Sequence, residues 1–325
     1  MKKGLLVLSL LISTSFASYA NSDNDYKCDK DNPKACFNFG TVRLLGMMGV
    51  KKDVHGAIDY FQKGCEFKGG DSCGMLGYIY QSGKGGIKKD EQKALSYYHQ
   101  GCTLLDAQSC LNEGLLNIRN IKNDEDALLK AQKAFSSGCE LKLAKACTQN
   151  GILSFENKNF EEANALFKKG CDLKDGLGCA RYGDSFLKDQ NTLEKALSFY
   201  KRSCDLNNAE GCRKASLYAT GSLKLDYASR SCQGGDMEGC RLEGEALLAL
   251  GNDDSIKQAV DLFKKSCGIH SKRACFDLAE LYEKGIGVKT SLQDSLDNYM
   301  RGCVYGDKES CVKAQAISEQ IENKK

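Results

Sequence analysis

The chain has no tryptophan, a single proline (Pro33) and only three histidines (His55, His99 and His270) in 325 residues. One proline leaves little to interrupt helices, and the alternating apolar pattern that marks strands is weak throughout. Three scattered histidines exclude a histidine-built metal centre. No C-x-x-C occurs, which removes a thioredoxin-like redox site. Charge of one sign is also missing: 46 Lys and Arg against 43 Asp and Glu leave a net +3, and two of those charges are Lys2 and Lys3. A near-neutral chain has no bulk attraction for nucleic acid or for an anionic membrane.

Long hydrophobic runs are equally scarce. Leu5 to Leu11 is apolar, and nothing later approaches the ~20 residues that span a bilayer. With Lys2 and Lys3 before it and Ser18, Tyr19 and Ala20 after it, this run reads as a secretory signal over residues 1–20, cleaved before Asn21. The first cysteine is Cys28, so no lipid-anchor cysteine stands at the cleavage site. The expected product is secreted, into the periplasm or the medium, with no membrane insertion after cleavage. Thiols exported to that compartment form disulfides that persist.

Cysteine is the residue in excess. Its 18 copies fall into nine pairs of one spacing, C-x7-C: Cys28/Cys36, Cys65/Cys73, Cys102/Cys110, Cys139/Cys147, Cys171/Cys179, Cys204/Cys212, Cys232/Cys240, Cys267/Cys275 and Cys303/Cys311. Successive pairs start 37, 37, 37, 32, 33, 28, 35 and 36 residues apart, the period of two-helix solenoid units. Four residues after the second cysteine stands Gly40, Gly77, Gly114, Gly151, Gly183 or Gly244, with Ser216 and Ala279 in two units. Glycine in a helix costs ~1 kcal/mol against alanine, so its recurrence needs a packing reason, the close approach of a neighbouring helix. Eight residues before the next first cysteine stands Ala57, Ala94, Ala131, Ala163, Ala196 or Ala259. Four residues on comes Phe61, Tyr98, Phe135, Phe167, Tyr200, Phe263 or Tyr299. Positions i, i+4 and i+8 share one helix face, the buried stripe.

Each unit therefore reads as helix A, a loop, and helix B running to the next first cysteine. The loop is clearest in Tyr80 to Asp90 and Tyr282 to Val288, where glycines supply positive φ angles. The unit from Cys204 to Cys232 departs most, with Lys224 and Ala228 in place of the alanine and the aromatic.

These residues resemble the Sel1-like repeat, a relative of the tetratricopeptide repeat, and the C-x7-C pair in every repeat is similar to the Helicobacter cysteine-rich protein family. The resemblance covers residues 21 to 311 and implies an all-α fold, a right-handed α/α superhelical solenoid of disulfide-bridged helix pairs. We expect one continuous array over 21–311, a polar capping helix and tail over 312–325, and an inner surface lined by helix A.

Every gap between paired cysteines is seven, which fits no common zinc spacing, so the pairs read as staples between the end of helix B and the start of the next helix A. The repeating register selects one connectivity, each cysteine with its near neighbour. No cofactor and no metal is expected.

The cysteine-rich family is assigned penicillin-binding or β-lactamase activity, which the resemblance therefore implies. A serine β-lactamase carries S-x-x-K with S-D-N and K-T-G. The S-x-x-K matches here are Ser185 to Lys188, Ser198 to Lys201 and Ser310 to Lys313, no more than chance provides, and the other two motifs are missing. No catalytic residue is identified. The favoured expectation is a scaffold that binds a protein, a peptide or a cell-wall fragment; the alternative, implied by the resemblance, is a penicillin-binding protein or β-lactamase that hydrolyses the β-lactam ring. Asn38, Tyr78, Asn112, Asp184 and Glu245 are the expected exposed positions of helix A. Lysines beside the cysteines, such as Lys168, Lys169, Lys264 and Lys265, are expected to serve the helix B dipole.

Overall fold

A computed structural model describes residues 27–120, 126–187 and 190–323. The expected signal segment, 1–20, lies outside the described residues. Seventeen α-helices and no strand occur among those described. The chain divides into two compact units, one ending at Leu141 and the other beginning at Lys142.

The first unit holds α1 (Pro33–Leu45), α2 (Val54–Glu66), α3 (Gly70–Ser82), α4 (Glu91–Thr103), α5 (Ala107–Arg119) and α6 (Ala127–Glu140). In the second, α7 (Ala144–Glu156), α8 (Phe160–Asp172), α9 (Gly176–Asp184), α10 (Leu193–Asp205), α11 (Ala209–Tyr218) and α12 (Gly221–Gln233) come first. They are followed by α13 (Met237–Leu248), α14 (Asp253–Gly268), α15 (Lys272–Lys284), α16 (Leu292–Val304) and α17 (Lys308–Glu322). Odd-numbered helices are the A helices and even-numbered ones the B helices. In each unit a helix packs on its chain neighbours, and successive A helices touch one another, α1 on α3 on α5 and α7 on α9 on α11 on α13 on α15.

The recurring glycine of helix A has a specific occupant. A Cβ on Gly40, Gly77, Gly114, Gly151, Gly183 or Gly244 would fall within 3.0 Å of the ring of Phe61, Tyr98, Phe135, Phe167, Tyr200 or Phe263, the helix B aromatic of the same pair. These rings are buried. The choice between Phe and Tyr follows the surroundings. Tyr98, Tyr200 and Tyr299 each donate their hydroxyl to a polar side chain of the preceding A helix, Gln81, Asp184 and Glu283, at 2.8 to 2.9 Å. In the departing unit Tyr227, one residue before the aromatic position, is buried against Tyr200, Cys204 and Ala215 instead. Only Ala219 and Thr220 separate α11 from α12, so the B helix enters in a shifted register.

The cysteines sit in the turns from B to A. From Cys65 onward, the first closes the last turn of a B helix and the second lies in the first turn of the next A helix; Cys28 stands in the segment ahead of α1. Eight bridges, Cys28–Cys36, Cys65–Cys73, Cys102–Cys110, Cys171–Cys179, Cys204–Cys212, Cys232–Cys240, Cys267–Cys275 and Cys303–Cys311, have Cα separations of 4.3 to 4.8 Å. Cys139 and Cys147 are disulfide-bonded too, and no free cysteine occurs among the described residues. These separations are at the short end for disulfides, because the turn between the helices is tight.

That turn is a repeated Schellman motif. Three residues past the first cysteine the backbone enters the left-handed region, at Lys68, Leu105, Lys142, Lys174, Asn207, Gly235, His270 and Gly306, with φ between 59° and 90°. The next N–H reaches back five residues to the carbonyl just before the cysteine, as in Gly69 to Gly64, Asp106 to Gly101 and Asp307 to Gly302, at 2.8 to 2.9 Å. The same residue then caps the A helix: the side chains of Asp106, Asp175, Asn208, Asp236, Ser271 and Asp307 accept from backbone N–H groups of the first turn. Gly69 and Leu143 stand at this position without a side-chain cap. The last helix accordingly begins at Lys308, behind its cap Asp307, four residues before the expected start of the terminal cap at 312.

Beside each bridge the residues preceding the two cysteines interlock. A Cβ on Gly64, Gly101, Gly211, Gly239 or Gly302 would lie under 3.0 Å from the hydroxyl of Ser72, Ser109, Ser203, Ser231 or Ser310. Where both are glycine, Gly170 and Gly178, Thr148 fills the space. In these pairs one member lacks a side chain, which lets the helix ends approach closely; at Cys267–Cys275 the pair is Ser266 and Ala274, and Ser266 donates instead to the Met237 carbonyl at 3.2 Å.

Candidate functional site

The exposed faces of adjacent A helices are the surfaces on which this fold brings side chains from different repeats together, and they differ between the two units. In the second unit, from α9 onward, each A helix is tied to the next by ion pairs. Lys214 of α11 meets Asp184 of α9 at 2.7 Å and Glu210 at 2.8 Å, and Arg181 of α9 meets Glu210 at 3.5 Å. Arg213 of α11 meets Asp236 ahead of α13 at 3.0 Å. Arg241 of α13 bonds Glu238 at 2.6 Å, Asp277 of α15 at 3.1 Å, and Glu245. Arg273 of α15 meets Glu309 of α17 at 2.6 Å, and Lys313 of α17 meets Glu283 of α15 at 3.7 Å.

The centres of this ladder are withdrawn from water. The side chains of Lys214, Arg241 and Asp277 are only 13%, 10% and 15% exposed. Burial pushes the Asp277 carboxyl up to about 6, with the Glu245 charge adding to the shift and Arg241 only partly offsetting it.

In the first unit the same face carries little charge. Asn38 on α1, Tyr78 on α3 and Leu115 on α5 are exposed, and Met75 and Asn112 are half-buried between them. The Gln108 side-chain amide donates to Asn112 Oδ1 at 3.0 Å. The charged residues of these three A helices are each engaged: Lys34 with Asp71 at 2.8 Å, Arg43 with Asp53 at 3.4 Å, Glu113 with His99 at 2.8 Å and Arg119 with Glu91 at 3.9 Å. Burial raises the Glu113 carboxyl above its ordinary range, and His99 offsets part of that rise.

Of the five helix A positions expected to be exposed, Asn38 and Tyr78 are. Asn112, Asp184 and Glu245 are half-buried, because each is engaged by a neighbouring side chain, Gln108, Lys214 and Arg241 respectively. The ladder itself went unread in the sequence. Its signal is an acidic residue two before the second cysteine, Glu210 or Glu238, followed by a base one or two after it, Lys214 or Arg241.

The S-x-x-K serines are committed elsewhere. Ser185 donates to the Tyr182 carbonyl and Ser198 to the Lys195 carbonyl, each at 2.7 Å. Ser310 is buried and donates to the cap Asp307 at 2.6 Å. Lys188 lies outside the described residues. Among basic residues near the cysteines, Lys168 pairs with Asp172 one turn on at 2.7 Å. Arg202 and Arg230 reach further, to the Cys171 and Cys204 carbonyls at 3.0 and 2.8 Å, and so close the C-terminus of the preceding B helix. His270 packs against Tyr305 with ring centroids 4.6 Å apart and the ring planes tilted by 57°. No group of three or more His, Cys, Asp or Glu able to hold a metal occurs among the described residues, and no helix among them is long and apolar enough to cross a membrane.

Comparison with known proteins agrees with this architecture. No functionally curated protein matches the sequence. Among solved structures, a protective antigen present in uropathogenic Escherichia coli strains and displaying an SLR fold superposes with a TM-score of 0.73 at 19% identity, over 88% of this chain. The chain spans 64% of that protein's length. A Sel1 repeat protein from Oxalobacter formigenes superposes with a TM-score of 0.62 at 16% identity, over 90% of this chain and 88% of the other. At these identities the likeness concerns the fold. The Sel1 repeat itself matches residues 33–66, 70–104, 138–175, 176–208 and 272–297, about half of the chain, each stretch lying on the helices described above. The cysteine-stapled helix pairs are thus Sel1 repeats, and the chain belongs to the Sel1 repeat family.

Proposed function

We propose that the protein is an exported, disulfide-stapled scaffold whose A-helix faces bind a protein or peptide segment. The observation that carries this reading is, within each unit, the layer of adjacent A helices, held by disulfides at the turns from B to A, which displays side chains from successive repeats on one face. Repeat arrays use such surfaces for extended ligands. Full oxidation of the described cysteines supports an oxidising compartment, in line with the signal expected over residues 1–20. The cysteine-rich branch of the family, and a peptidoglycan fragment or β-lactam as ligand, belong to this proposal as alternatives drawn from the resemblance.

Incubation of the oxidised protein with a penicillin and a cephalosporin, followed by intact mass measurement, separates the scaffold from a hydrolase. We expect unchanged mass and no turnover. Turnover above a heat-stable blank, abolished by one point substitution, would overturn the scaffold reading.

A further inference from the structure

Resting on the scaffold reading, we infer that the binding face is the A-helix face of the first unit, α1, α3 and α5, and that its ligand is an extended polypeptide segment of low charge bearing apolar side chains. Two independent features support this. The first is what the face offers. Tyr78 and Leu115, 39% and 41% exposed, stand at the same register of α3 and α5, five residues past the second cysteine. Asn38 and Asn112, two residues past it on α1 and α5, add primary amides. Tyrosine with aliphatic neighbours and few charges is the composition of interface centres. Amides can bond the backbone of an extended chain, which carries one donor and one acceptor per residue whatever its side chains. The charged residues of these helices are already engaged within the chain, and Lys84, just past α3, lies with its Nζ 5.3 Å from the Tyr78 ring in a cation–π contact, so a highly charged segment would find little countercharge on this face.

The second feature is what the other unit withholds. From α9 to α17 the A-helix face is closed by its own ion pairs, centred on Lys214 and Arg241. A ligand seated there would have to separate pairs that are already desolvated, and removing one partner of such a pair costs several kcal/mol. The first unit's face demands no such exchange.

The test uses random dodecamer peptides displayed on phage, selected on the oxidised full chain, and synthetic copies of the enriched sequences titrated by fluorescence anisotropy. Three variants are compared, Tyr78→Asp, Leu115→Asp and Arg181→Gln, each at a partly exposed side chain and each checked for native helicity by circular dichroism. Enriched peptides are expected to be apolar with net charge near zero. Their affinity is expected to fall at least tenfold with Tyr78→Asp or Leu115→Asp and to hold with Arg181→Gln. Enrichment of highly charged peptides, or loss of affinity with Arg181→Gln alone, would overturn the placement while leaving the scaffold reading intact. Failure to enrich any peptide over an uncoated surface would overturn both.

Discussion

Gly114 shows how little room a single position in this fold allows. Its Cα lies against the Phe135 ring, and a methyl group there would come within 3.0 Å of the ring carbons. The intrinsic helix preference favours alanine by ~1 kcal/mol, and the ring contact opposes it. Overpacking of a tight core costs ~1 to 3 kcal/mol, so the contact outweighs the preference over most of that range, and Gly114→Ala is expected to destabilise by up to ~2 kcal/mol net in urea unfolding of the oxidised protein. A stabilised variant would show that the ring can move aside. The recurrence of that glycine was visible in the sequence as a small residue at a fixed register. That its partner is the aromatic of the same helix pair followed only from the packing.

Asp277 is a residue whose behaviour no pattern announces. It is half-buried beside Arg241 and Glu245, and its carboxyl is pushed up to about 6. A carboxyl raised in the folded state contributes stability that is complete below its unfolded value near 4 and is lost as pH rises through 6. Relative to Asp277→Asn, the native protein is therefore expected to gain stability as pH falls from 7 to 4, by ~3 kcal/mol at most. Chemical denaturation of both proteins across that range checks the sign, and a constant difference would refute the raised carboxyl.

At the scale of the element, the A helices start where the sequence places a cap. Asp106, Asp175, Asp236 and Asp307 stand four residues before the second cysteine, with Asn32, Asn208 and Ser271 at the same place in other units. Alignment on the cysteines exposes that column beside the glycine and aromatic columns. The exceptions are informative. At Gly69 a Cβ would meet the Gly64 carbonyl at 2.9 Å, so glycine is held there by space, and Ser72, which in the α5 and α17 units would donate to an aspartate cap, is left with a buried hydroxyl lacking a partner. At Leu143 the backbone already has the extended conformation of a cap, φ −80° and ψ 105°, without the acceptor. Leu143→Asp is expected to stabilise α7 by ~1 kcal/mol, read as a raised denaturation midpoint at unchanged slope. A lowered midpoint would show that the leucine side chain matters more than the missing cap.

For the whole molecule, bridges that each close a short loop set the conditions under which the protein survives. A nine-residue loop is worth ~2.5 kcal/mol by the chain-entropy estimate, and the contributions are not simply additive. Even a few of them rival the ~5 to 15 kcal/mol net stability of an ordinary domain. Thermal scans by circular dichroism with and without a phosphine reductant, with thiols counted, are expected to show a midpoint lower by at least 10 °C after reduction. Equal midpoints with all thiols released would remove the staple role. Because each repeat touches only its neighbours, loss of one bridge is expected to loosen its own turn before distant ones.

Sequence alone determined the alternation of helices, the register of the repeat outside the α11–α12 pair, and the near-neighbour pairing of the cysteines. All three rest on contacts within a few turns of the chain, where spacing and geometry are nearly the same thing. The tertiary structure decided which charges cancel and which side chains remain available. Lys214 meets Asp184 across 30 residues, and Arg241 meets Asp277 across 36, because stacking sets successive A helices side by side. No local rule reaches across a whole repeat, so the closed charged face of one unit and the open, charge-poor face of the other emerge only when the repeats are packed.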